Sequence, residues 1–172
     1  MEQKREIETN EEPIMSLVPR KDAGDGSLLT REARDMIVVV GDKIGLDPCL
    51  GHVILYYGKP YVTEAGMLYY AHRSGKFNGI ESRPLTADER EFYQIDQGED
   101  AWIASAWRKG FAIPFTGIGR ARADEKNPVA RGSFVEHQHP QRMAAKRAEM
   151  QALRKAFPVG LPIWEEENEA QS

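Results

Sequence analysis

Two patterns in this chain predict an α+β fold: a small antiparallel β-sheet built from hairpins, packed with helices and closed by a long basic helix. Two β-rich runs break at turn residues, HVILYY before Gly58-Lys59-Pro60 and DAWIASAWRK before Gly110. Residues Pro140–Phe157 contain no Gly or Pro after the first position and are rich in Ala, Met, Arg, Lys and Leu. They form the strongest helix in the sequence.

The elements follow in order. Residues 1–26 are polar, acidic and rich in Gly and Pro near their end, the composition of a flexible arm. Thr30 suits the N-cap of a helix over Arg31–Ile44, with Gly45 as its stop and GLDP as a turn. HVILYY and YVTEA flank Gly58-Lys59-Pro60 as a hairpin. Ala65–Ser74 reads as a short helix ended by Gly75, and Lys76–Pro84 as an extended segment. Thr86-Ala87-Asp88-Glu89 matches a capping box. DAWIASAWRK and FAIPFTGIGRARA form a second hairpin. The alternation in its first strand puts large side chains on both faces, which predicts cover on each side. Pro158 ends the final helix. The organisation expected is an arm (1–26), one domain (27–158) and an acidic tail (159–172).

At 172 residues and 41% hydrophobic content, the chain is long enough for one packed core. Its apolar runs are far shorter than the ~20 residues of a membrane helix, and its first residues lack the apolar stretch of a secretory signal. Cys49 is the only cysteine, which excludes an intrachain disulfide and a thiolate zinc cluster. A soluble intracellular protein is expected.

The net charge of −4 is unevenly spread. Residues 139–157 carry Arg142, Lys146, Arg147, Arg154 and Lys155 against Glu149 alone, whereas the tail adds four glutamates and no cation. On a helical wheel Met143, Met150 and Phe157 make an apolar ridge, and Ala145, Ala148, Ala152 and Ala156 a small-residue face. Arg147 and Arg154 lie beside the ridge, with Gln151 between them and about 10 Å separating them along the axis. That spacing suits two phosphates of one nucleic-acid strand, since guanidinium groups bind phosphate oxygens bidentately. The competing reading is that each arginine pairs with an acidic neighbour.

Enzymatic chemistry has little support. No P-loop is present, and Gly117-Ile118-Gly119-Arg120 lacks the third glycine of a dinucleotide fingerprint. Glu136-His137-Gln138-His139 is the one pattern with metal-chelating spacing, and it lacks a clear third ligand. No cofactor is expected.

Three stretches, in order, resemble the RecT/Red-beta family of phage and bacterial single-strand annealing proteins. They are Gly45-Leu46-Asp47-Pro48 before the apolar HVILYY, Tyr61–Ile80 (YVTEAGMLYYAHRSGKFNGI), and His139–Phe157 (HPQRMAAKRAEMQALRKAF). Ala65 and Gln141 depart from the family pattern, which more often has Asp and a basic residue there. The resemblance implies ATP-independent binding of single-stranded DNA and its annealing to a complementary strand in homologous recombination and repair. It also implies a homo-oligomer, ring or helical filament, in the cytoplasm of a bacterial or phage-infected cell. An exonuclease or single-strand-binding protein is the partner some members use through a C-terminal extension that is largely missing here. Carried over by position, the DNA-contacting residues are Arg147, Arg154, Arg142 and Gln151 on the last helix. Arg108 and Lys109 follow on the second hairpin, then Arg131 before the helix and Arg73 closing the short one. The rival readings are a nucleic-acid-coating or regulatory module that anneals nothing, and a metal-dependent nuclease using His137 and His139.

Overall fold

A computed structural model describes residues 17–122 and 139–161, together with Met15. Antiparallel sheets and helices alternate through it, with a long helix last: an α+β architecture. The elements group into two compact units, the first running to Tyr69 and the second starting at Tyr70.

In the first unit, Thr30 Oγ1 accepts the Ala33 N–H at 3.2 Å and opens α1 (Arg31–Ile44). Gly45, at φ 67°, ends it in the left-handed region that glycine adopts without strain. Ile37 faces inward and is fully buried. A short 3-10 turn (Pro48–Leu50) leads to β1 (Val53–Tyr56), which pairs antiparallel with β2 (Lys59–Val62).

The turn of this hairpin is Tyr57-Gly58, and Lys59 and Pro60 belong to β2 rather than to the turn. A two-residue turn of this kind needs φ above zero at both positions, and Tyr57 (48°) and Gly58 (73°) both meet it. Tyrosine adopts such a φ at a cost, and the buried carboxylate of Asp22 holds it there. Asp22 accepts the N–H groups of Tyr57 (2.8 Å), Gly58 (2.7 Å) and Gly24 (2.7 Å). Ala23 N–H donates to Leu55 O at 2.9 Å, so the strand edge is occupied by the preceding segment. Within residues 17–29 Val18, Asp22 and Gly24 are buried, and the others are exposed or half-buried.

Thr63 opens α2 (Glu64–Arg73): its hydroxyl donates to Gly51 O at 2.7 Å and accepts the Gly66 N–H at 3.2 Å. A side chain at Gly66 would overlap His52 O, so the glycine lets the helix backbone lie against the start of β1.

The second unit holds a three-stranded antiparallel sheet, β3 (Phe77–Pro84), β4 (Glu99–Arg108) and β5 (Phe115–Arg122), in the order β3-β4-β5. A bulge interrupts β3 between Phe77 and Ile80, where Gly79 has φ 112°. Helix α3 (Ala87–Phe92) carries the capping box expected at Thr86 and Glu89.

Helix α4 (Pro140–Ala156) lies across one sheet face. Cross-strand pairing puts Ser82, Ala104 and Gly117 in one row of that face. Ala104, Ala106, Gly117, Gly119 and Ala121 are buried beneath the helix. On the helix the buried small residues are Ala144, Ala148, Ala152 and Ala156. They are spaced by four and so form one ridge. Ala145 lies one residue round from that ridge and is only half-buried. Met150 and Phe157 are buried and Met143 half-buried. On the opposite face of β4, Ala101 is buried, whereas Ile103, Ser105 and Trp107 are half-buried, so the cover expected on each side is unequal.

Candidate functional site

Among the described residues the ion pairs of the second unit lie at one end of its sheet, near α3, where Arg90 donates to the Asp96 and Glu99 carbonyls as well. Arg83 makes a two-point ion pair with Glu89, and Arg122 pairs with Glu99 (3.1 Å) and with Asp96. Arg120 lies 4.0 Å from Glu99. The Arg83 guanidinium, aided by the Thr86 N–H, holds the Glu89 carboxyl down to about 2.

At the other end the cations are anchored on backbone carbonyls. Arg108 Nη1 donates to Ala156 O (2.7 Å), Lys109 Nζ to Gly75 O (3.2 Å) and Lys155 Nζ to Thr116 O (2.6 Å). A carbonyl is a dipole and carries no full charge, so these bonds fix the side chains in place, and among the described residues no ion pair involves them.

This end is where three segments converge. Phe77 pairs with Arg108 across β3 and β4, Lys109 N–H donates to Lys76 O (2.8 Å), and the Phe77 and Phe157 rings lie 6.0 Å apart. Residues 70–80, 101–122 and 150–161 together contain no Asp or Glu. They bring Arg73, Lys76, Arg108, Lys109, Arg154 and Lys155 to one end of the unit. Arg73, Lys76, Lys109 and Lys155 are exposed, and Arg108 and Arg154 half-exposed. A polyanion meeting this surface has cations to neutralise and no carboxylate among these segments to repel it.

Arg108 has a second role. Its guanidinium carbon lies 5.4 Å from the ring centroids of both Phe111 and Phe157, so it ties the β4–β5 turn to the C-terminal end of α4. It also supplies positive charge where the helix dipole is negative.

The residues expected to act together divide by place. Arg108, Lys109, Arg154 and Arg73 meet at the carboxylate-free end. Arg147 and Gln151 lie along β5: Arg147 Nη1 donates to Arg120 O (2.7 Å), and Gln151 Oε1 accepts the Ile118 N–H (2.8 Å). With Lys155 on Thr116 O they form a row spaced by four along the outer edge of β5, which among the described residues pairs with β4 alone. Arg142 is exposed in the first turn of α4, about 18 Å along the axis from Arg154. Arg131 and His137 lie outside the described residues. His139 immediately precedes α4 and makes no side-chain cap bond to it. Sequence reasoning passed over Lys76 and Lys155 as site residues, and also Phe111 and Ile113 at the turn. The signal that would have found the two lysines is the run of residues without a carboxylate in all three segments.

Among the described residues no group of three or more His, Cys, Asp or Glu side chains is placed to hold a metal ion, and no helix is long and apolar enough to cross a membrane. A family model described as the RecT family matches residues 36–171. No curated protein matches the chain.

Proposed function

Since the chain belongs to the RecT family, DNA-binding proteins of single-strand annealing and recombination, we propose that it binds single-stranded DNA at the carboxylate-free end of its second unit. There it promotes pairing with a complementary strand, without ATP and without covalent chemistry. The observation that carries this reading is where the ion pairs lie: among the described residues those of the sheet are all at one end, and at the other Arg108, Lys109 and Lys155 donate to carbonyls.

The mechanism is electrostatic and positional. Lys76, Lys109, Arg154 and Lys155 displace condensed counterions from the phosphates they meet. Because Lys109 and Lys155 are already held by backbone carbonyls, less side-chain freedom is lost on binding. Capture through the backbone leaves base edges available to test a second strand. Arg142, Arg147 and Gln151 extend the contact along α4. The protein acts as a homo-oligomer, each subunit presenting one basic end to a continuous strand.

The test follows two complementary dye-labelled oligonucleotides by energy transfer, without ATP and with EDTA present. Acceleration of pairing by the wild type, reduced at least tenfold in Lys109→Ala/Arg154→Ala, is the expected result. Binding without acceleration supports a coating module instead, and strand cleavage that appears when a divalent metal replaces the EDTA supports a nuclease.

A further inference from the structure

The β4–β5 turn ends in two apolar side chains that are largely exposed among the described residues. Six residues, Lys109 to Pro114, connect the strands. Phe111 is 53% exposed and Ile113 75%. Single exposed apolar residues are ordinary, whereas neighbouring ones that form a patch mark an interaction surface. Here they stand at the tip of the longest hairpin in the chain.

The tip is braced. Gly110, at φ 91°, turns the chain, and the Phe111 N–H donates to Arg108 O at 3.2 Å. The Phe111 ring packs edge-on to Phe115 at 5.0 Å and lies 5.4 Å from the Arg108 guanidinium, which is itself bonded to Ala156 O. The hairpin therefore holds an apolar point in a set position at its apex.

We infer that Phe111 and Ile113 form a wedge that inserts between bases of the bound single strand; this rests on the DNA-binding reading above. Charge selects the occupant. The tip stands among Lys76, Lys109, Arg108 and Lys155, in segments without a single carboxylate. A second copy of the same tip would bring like charges together, whereas a nucleic-acid strand brings phosphates to the lysines and flat apolar bases to the ring. The patch is also small, two side chains against the ~1,600 Å² of a standard protein interface. Its size matches the face of a base, and stacking on an aromatic ring is indifferent to which base is present. A wedge of this kind divides the strand into short stacked groups and keeps neighbouring bases apart, the state in which they can be tested for pairing.

The experiment uses full-length protein and an oligonucleotide carrying 2-aminopurine, whose fluorescence rises when its neighbours unstack. Affinity is measured by anisotropy across a salt series. For Phe111→Ala/Ile113→Ala the expected result is about tenfold weaker binding at every salt concentration. The log–log salt slope stays unchanged, and the 2-aminopurine signal falls at least twofold. Phe111→Trp keeps the stacking plane and retains both. An unchanged affinity and fluorescence in the double variant, with the wild type binding normally, overturns the wedge and leaves the DNA-binding reading intact. A change in assembly size without DNA, measured by light scattering, overturns it in favour of a self-association surface. Wild type that binds no single strand removes both readings together.

Discussion

Gln151 accepts the backbone N–H of Ile118 at 2.8 Å, in the place where the carbonyl of a neighbouring strand would otherwise stand. Arg147 on Arg120 O and Lys155 on Thr116 O continue the row. A helix thus caps the edge of the strand it covers, using every fourth side chain. Two of these residues were read from sequence as DNA contacts, and the arrangement gives them a structural task as well. Replacing Gln151 by Leu leaves Ile118 N–H without this partner. The expected cost is about 1 kcal/mol by urea denaturation, with a raised tendency to aggregate through the opened edge.

The close approach of α4 to β5 depends on two glycines. A Cβ at Gly119 would overlap Ala144 O and Ala148 N, and one at Gly117 would overlap Ala148 O. These obstacles are helix backbone, which cannot step aside as a flexible side chain can. Gly119→Ala is expected to destabilise the protein by about 2–3 kcal/mol, seen as a lower urea midpoint. Gly98→Ala has open space at its Cβ and is the matched control.

Acid should uncouple α3 from β3. The pKa of Glu89 in the folded protein, about 2, lies below the ordinary value of about 4.3. Its ion pair with Arg83 and its bond to the Thr86 N–H therefore contribute fully above about pH 4.3 and are lost as pH falls towards 2. Thermal melts of wild type and Glu89→Gln should differ at pH 7 and converge as the pH approaches 2. A gap that widens on acidification would contradict this assignment.

Asp22 holds the Tyr57-Gly58 turn from outside the residues matched by the family model. Asp22→Ala strips the acceptor from the buried Gly24 N–H and from the less buried Tyr57 and Gly58 N–H groups, at a cost on the order of 1–3 kcal/mol for the buried one. Asp22→Asn keeps one acceptor oxygen and should lose less. Hydrogen exchange at the Tyr57 and Gly58 amides checks both.

Much of the local structure was legible in the sequence. Thr30, Gly45, Thr86 and Gly75 act where capping chemistry placed them. These signals are local, so the residues that set them can be read in isolation. The first hairpin turn was misplaced because Gly58-Lys59-Pro60 looks like the break, whereas the positive φ of Tyr57 is stabilised by Asp22, thirty-five residues away. Gly117 and Gly119 looked like an incomplete fingerprint; only the position of α4 shows that they admit its backbone. The candidate site was half legible for the same reason. Arg108 and Lys109 were singled out together on the second hairpin, and Arg154 with Arg147 on the last helix. That they meet Lys76 and Lys155 at one end of the sheet depends on strand pairing that no single segment carries.

A salt series bears on the phosphate contacts. Each phosphate neutralised on a single strand contributes about −0.7 to the slope of log K against log salt. Lys76→Ala/Lys109→Ala should make the wild-type slope shallower by about 1.4. An unchanged slope would place the phosphates elsewhere.

The central claim is that the two ends of the sheet differ in function, and charge reversal tests it most directly. Affinity for a labelled single strand is measured for Lys76→Glu/Lys109→Glu at the carboxylate-free end and for Arg83→Glu/Arg122→Glu at the ion-paired end, with circular dichroism confirming that both fold. The account predicts that the first loses binding by at least a hundredfold while the second stays within a few-fold of wild type. The opposite order, or equal losses, would contradict it.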